Sequence, residues 1–372
     1  VTNVAFSYPQ ARRFENPELI ERCRKFWRRE AVDRPLVGVL FDRMFPLQTF
    51  ASGRENAEVL PEDVSVGWFL GECERRHLAS EEIGGDAVFV AYAGIGLPWI
   101  EAVLGLKVRV QGGGGWAEPL DSDWKTYGED SVRWDNGWFE KMQELTAAAV
   151  NAGQGRFSVG PCHLRSPIDL ASAILGAEAL CLSIYDDPDA LRRLLDIFSD
   201  VWSKMVEAQY ERLPAYFDGY WCGNQPIWAP GRTMFVTADA ASLFSPRTFR
   251  QWVVPYLERI VQGLDYCIMH THSTYLHMLD AVMDIEGLRA IQVGIDDTGN
   301  KDISPLIPTL QRVQAGKALI LAITEKDPAI AASQAQMALR ELSPQGLCVL
   351  AYLPTVEAGK LFLKSVEESS AM

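Results

Sequence analysis

The sequence predicts an α/β protein of the (β/α)₈ TIM barrel type, with an N-terminal helix and an aromatic insertion around residues 106–138. Three observations predict it. Short apolar runs that read as buried strands recur eight times, and amphipathic helical stretches alternate with most of them. The first strand is followed by Phe41, Asp42, Arg43, Met44, Phe45 and Pro46, not by the Gly-rich phosphate turn that an open doubly wound sheet ordinarily carries.

The elements follow in order. Residues 17–29 form an amphipathic helix, with Leu19, Ile20, Phe26 and Trp27 on one face and Arg22, Arg24, Lys25, Arg28 and Arg29 on the wet one. Strands are expected at 36–41, 87–91, 157–160, 220–222, 266–270, 290–294, 318–323 and 347–352. Further helices are expected at 139–152, 187–212, 246–263, 274–283, 303–315 and 328–341. Asp187 before Pro188 and Ser245 before Pro246 pair a capping side chain with proline in the first turn. Glycines 112–115 read as a hairpin turn within the insertion, which also carries Trp116, Trp124, Trp134 and Trp138. No repeat or low-complexity linker divides the chain, so residues 1–372 are read as one barrel domain.

Composition narrows function. The chain has Lys+Arg 35 against Asp+Glu 49, a net charge of −14, and no basic stripe. It therefore lacks the means to neutralise nucleic-acid phosphates or anionic membrane surfaces. No apolar run is long enough to span a bilayer, and the first residues lack the pattern of a signal peptide, so a cytoplasmic protein is expected. The seven cysteines form no CxxC pair and are expected to be buried thiols.

A barrel of this kind builds its site from the residues just past each strand. Those residues here are Asp42 and Arg43; Tyr92; Cys162, His163 and Arg165; Trp221, Cys222 and Asn224, with Asp239 further on; His270 and His272; Asp296 and Asp297; Thr324 and Glu325; and Tyr352. His270-Thr271-His272 is the sharpest signal, because residues two apart on a strand face the same way. The pair suits chelation of a zinc-type ion, with Cys222, Asp239, Glu325 and Cys348 as candidates to complete the set. It equally suits substrate contact, acid–base work or a structural role without metal. Arg43 and Arg165 have the planar fork that grips carboxylates, and His163 is a candidate base. Asp239, Asp296 and Glu325 also allow a two-carboxylate glycosidase. No nucleophile elbow, Walker loop or HExxH motif is present.

Several stretches together resemble the uroporphyrinogen decarboxylase superfamily, which includes cobalamin-linked methyltransferases. They are Val32-Asp33-Arg34-Pro35; Gly160-Pro161 followed by residues 166–172; and Asp239 with Leu243, Phe244, Ser245, Pro246, Phe249, Val254, Pro255 and Tyr256. His270 falls where the methyltransferases place the first zinc ligand of a His-x-Cys pair, and His272 stands in place of the cysteine. The late family cysteine has no clear match, since the final strand runs into Tyr352, Leu353 and Pro354. The carboxylate with which the decarboxylase holds pyrrole nitrogens is absent from residues 89–95, and its arginine-rich turn is reduced to Arg43, so porphyrinogen decarboxylation is not expected. The resemblance implies methyl transfer to or from a small organic substrate. It also implies zinc, a corrinoid carried by a partner protein and the option of a homodimer; the strand-end reading gives His270, His272 and Cys222 as the metal ligands. Catalysis would fall to His270, Asp239 and Arg43, with Arg165, His163, Tyr92, Trp221, Glu325 and Tyr352 contacting substrate. The alternatives are a metal-independent decarboxylase or lyase of a small carboxylate, a glycosidase-like enzyme, and a non-catalytic ligand-binding barrel.

Overall fold

A computed structural model describes residues 13–41, 54–94, 96–112, 114–120, 123–296 and 301–370. Arg43, Asp42 and Asp297 lie outside the described residues.

Six parallel strands form one continuous curled sheet in the order Leu36–Phe41, Leu347–Leu353, Ala318–Ile323, Leu288–Ile295, Tyr266–His272, Thr233–Val236. The first strand lies beside the last, as a barrel requires. The ladder does not run all the way round. The expected strands 87–91, 157–160 and 220–222 shrink to Val90–Ala91, Ser158–Val159 and Tyr220–Trp221. The first two pair in parallel, and the third pairs antiparallel with Trp228–Ala229. Among the described residues the barrel is thus half laddered. Elsewhere backbones meet without strand pairing: a Cβ on Gly38 would lie 2.4 Å from the Ala87 Cβ, and one on Gly160 would lie 2.4 Å from the Trp221 carbonyl oxygen. Thr233–Val236, absent from the sequence reading, pairs with the Tyr266 strand; all four of its residues are buried, so no alternation marks it.

Two apolar layers account for the rest. Side chains pointing inward from the strands, among them Phe235, Ile268, Ala290, Ile320, Cys348 and Leu350, fill the barrel with Leu19, Ile20, Phe26 and Trp27 of the N-terminal helix. That helix, Pro17–Arg28, closes one end, where the Trp27 indole donates to the Trp228 carbonyl at 2.8 Å. The outward-pointing residues pack under the helices in the larger cluster. Asp187 and Ser245 cap their helices through the amides of Ala190 and Thr248, as expected. The helix expected at 246–263 breaks into Pro246–Trp252 and Val254–Val261, because Pro255 has no N–H with which to continue the first. The expected helix at 274–283 is a 3₁₀ turn followed by the short Leu279–Met283.

The insertion is an antiparallel hairpin, Val108–Gln111 with Gly114–Ala117, followed by two 3₁₀ turns. Its four tryptophans disperse. Trp138 packs edge-on against buried Trp99, while Trp134 meets Phe139 and Lys204. No single helix among the described residues is long and apolar enough to cross a membrane.

Candidate metal centre

His270 and His272 stand on the laddered half, two residues apart on one strand. Alternation turns both rings to the same side, and their centroids are 4.4 Å apart. The neighbouring strand fixes them: His270 lies opposite Gln292 and His272 opposite Gly294, where no side chain competes for the space. The His272 Nδ1–H donates to Asp296 Oδ1 at 2.6 Å. Asp296 is held in turn by the Thr274 amide at 3.0 Å and hydroxyl at 2.8 Å and by Ser273 Oγ at 3.1 Å. Burial raises the Asp296 pKa, but the bonds from His272 and Thr274 outweigh it and keep the carboxyl below its ordinary value. The His270 Nδ1–H donates to the Gln292 side-chain oxygen. That amide is oriented by its own Nε2, which donates to the Tyr352 hydroxyl at 3.4 Å.

With both Nδ1 atoms committed as donors, each Nε2 presents a lone pair. The two Nε2 atoms face each other at 2.9 Å. Two lone pairs at that separation repel unless a proton or a metal ion lies between them. Asp239, at the head of the 3₁₀ turn Asp239–Leu243, brings its Oδ1 to 4.0 Å from the His272 Nε2 and accepts from the Tyr275 hydroxyl. One ligand atom each from Asp239, His270 and His272 lies within 4.8 Å of the others. Two imidazole nitrogens on one tetrahedral zinc stand about 3.3 Å apart, so an ion asks the rings to part by only about 0.4 Å. Each histidine also has the oxygen acceptor on its far nitrogen that metal-bound histidines almost always show. The residues therefore fit an ion with three protein ligands.

The other expected residues divide. Cys222 does not join the pair. Its thiol lies in the apolar barrel interior beside Thr233, where burial pushes its pKa up to about 11, far from the thiolate a metal takes. Trp221 is wholly sealed from solvent in the same layer. Glu325 pairs with Lys301 and accepts from the Asp327 amide at 3.0 Å, outside the metal group. Tyr92 and Tyr352 share a cavity with Leu40, Arg76 and Asn224. His163 and Arg165 line a second cavity, of about 400 Å³, beside the insertion. There the Arg165 guanidinium bonds Glu101 Oε1 at 3.1 Å.

Sequence reasoning missed Gln292, Tyr275 and Glu101. Glu101 had a signal, a lone carboxylate in the apolar run Trp99–Val103. Gln292 had a weaker one, a polar residue within a buried strand. Its partnership with His270 depends on strand register, which no local pattern encodes.

No protein-family model matches the chain, and no curated protein matches it in sequence. Solved structures do. A methyltransferase from Methanosarcina mazei superposes with a TM-score of 0.63 at 13% identity, covering 94% of this chain and 98% of its own. A B12-independent methionine synthase from Shewanella sp. W3-18-1, solved in complex with selenomethionine, gives 0.50 at 11% identity, covering 91% and 97%. Both neighbours belong to the uroporphyrinogen decarboxylase/methyltransferase-like TIM-barrel superfamily. At these identities the likeness shows the fold alone: a TIM-barrel-type α/β architecture with a curled parallel half-barrel, where the sequence led to a full (β/α)₈ barrel.

Proposed function

We propose that this protein is a metal-dependent methyltransferase acting on a small organic substrate. The observation that carries the reading is the pair of facing Nε2 atoms at 2.9 Å, each with its Nδ1 committed to an oxygen acceptor and Asp239 beside them. Asp239, His270 and His272 would hold a divalent ion of the zinc type. Bound there, such an ion would act as a Lewis acid that lowers the pKa of a substrate thiol or hydroxyl, making it a better methyl acceptor or leaving group. Compared with a thiolate-rich set, two histidines and a carboxylate form a harder site that leaves more positive charge on the ion.

The chain's own residues supply the rest. Asp296 and Gln292 keep both imidazoles in the tautomer that presents Nε2. Tyr275 orients Asp239 by donating to its Oδ1. The methyl carrier in this reading is a corrinoid on a partner protein, as the sequence resemblance implies.

Elemental analysis of protein purified without added metal tests the centre. One divalent ion per chain is expected, lost on chelation and absent from His272→Ala. A metal-free protein whose activity ignores chelators would overturn the reading. The carrier is tested separately with methylcobalamin and 2-mercaptoethanol. Metal-loaded protein should bleach the methylcobalamin spectrum, and no bleaching with the ion in place removes the corrinoid.

A further inference from the structure

The cavity of about 400 Å³ beside the insertion has chemistry that the metal centre does not use. Its apolar wall is made by Leu97, Pro98, Trp116 and Pro119. Its one arginine is Arg165, whose side chain is 42% exposed although the carboxylate beneath it, Glu101, is only 1% exposed. Glu101 occupies one terminal nitrogen of the guanidinium, at 3.1 Å. The rest of the fork faces the cavity, and a carboxylate approaching it would make the two parallel bonds that arginine favours.

The local charge is set by one arginine and three carboxylates. Arg165 feels Glu101, Asp169 and Asp239. Glu101 and Asp169 are both sealed under the protein surface, and neither Asp169 nor Asp239 lines the cavity. Of the three carboxylates only Glu101 lines the cavity, so a molecule entering it meets the guanidinium with its buried Glu101 partner, His163, Ser172 and the apolar walls. Burial also raises both sealed carboxyls above their ordinary values, although Arg165 pulls each of them back down; the net shift weakens the counter-charge on the arginine.

We infer that this cavity is a binding site for an apolar or aromatic monocarboxylate, with the carboxylate on Arg165 and the body against Trp116. The site is near the metal centre. His163 lines the cavity and packs 5.5 Å from Phe235, whose ring is 5.5 Å from that of His270. Under the methyltransferase reading, the bound carboxylate is the substrate or its anionic end. That role rests on the reading, whereas the binding does not.

Calorimetry on chelator-stripped protein keeps the two apart, because a carboxylate then has no ion to bind. The probe is benzoate, with benzamide as its uncharged isostere and benzylamine as a cation. Benzoate should bind, benzamide at least about tenfold more weakly, and benzylamine not measurably. Removing Arg165 alone would strand the buried Glu101 charge and risk misfolding, so the comparison uses Glu101→Gln with and without Arg165→Gln. Glu101→Gln should bind benzoate at least as tightly as the natural protein, and the double variant at least about tenfold more weakly than Glu101→Gln. Equal affinity in those two variants, benzamide binding as well as benzoate, or no saturable benzoate binding would overturn the proposal.

Discussion

The two halves of the barrel are built differently. From Thr233 round to Phe41, six strands share one continuous parallel ladder, and every strand of the metal centre lies in it. In the other half the barrel strands are two residues long and pair only two by two, and close approach between backbones takes the place of a continuous ladder. That half carries the long insertion and the Arg165 cavity. A metal centre needs ligands held to within about half an ångström, which a ladder supplies, whereas a substrate cavity can be reshaped by changing loops. Under the proposed function, the metal chemistry falls on the rigid side and substrate choice on the variable one.

The most severe test of this picture is at the seam. The first strand belongs to the ladder, yet Gly38 on it touches the other half, where its missing Cβ leaves room for Ala87. Gly38→Ala would gain up to about 1 kcal/mol from a less flexible unfolded chain. That gain is small beside the overpacking, since an added methyl 2.4 Å from the Ala87 Cβ and 2.5 Å from its amide nitrogen must push backbone apart. A net loss of about 3 kcal/mol in unfolding free energy is expected by denaturant titration. A loss below about 0.5 kcal/mol would mean that the seam is soft and the halves are not held by close approach.

The same contrast explains what was legible in the sequence. The ladder strands are long apolar runs, and residues 36–41 and 318–323 are found at the expected positions. His270 and His272 were readable as a pair because alternation alone turns them together. Asp239 lies 31 residues earlier in a short 3₁₀ turn, and its place beside the pair depends on how that turn packs on Asp169. The short strands were overlong in the sequence reading, because glycine and proline at 160 and 161 end the pairing that apolar character favours. Cys222 was placed among the ligands by its nearness to a strand end. Inward and outward directions on so short a strand are set by its neighbours, and they turn the thiol into the apolar interior.

A smaller effect is expected within the ladder. Asp296→Asn keeps the shape beside His272 but can offer it an amide nitrogen as readily as an oxygen, so the ring loses the charged acceptor that fixes its tautomer. Metal affinity should fall by about 10- to 100-fold, with the fold intact. Affinity measured by competition with a chromophoric chelator checks it. An unchanged affinity would show that the strand geometry positions His272 without help from Asp296, which would sharpen the claim that the ladder does the positioning.

The smallest effect belongs to Tyr275, which reaches Asp239 from the loop after the histidine strand. Asp239 is the one member of the group not carried by a strand, so it should depend most on a side chain to hold it. Burial and the neighbouring Asp239 charge both push the Tyr275 hydroxyl pKa upward, so it stays a donor at neutral pH. Tyr275→Phe removes that donor and leaves the carboxylate charge in place. The loss is one hydrogen bond to a partly solvated group, about 1 kcal/mol, or roughly a fivefold weaker ion. A rise in the ion's dissociation rate with an unchanged association rate is the expected signature, because the hydroxyl steadies a ligand already bound. If Tyr275→Phe weakened the ion as much as Asp296→Asn does, the loop would be as much a part of the centre as the ladder, and the separation between rigid chemistry and variable surroundings would fail at Asp239.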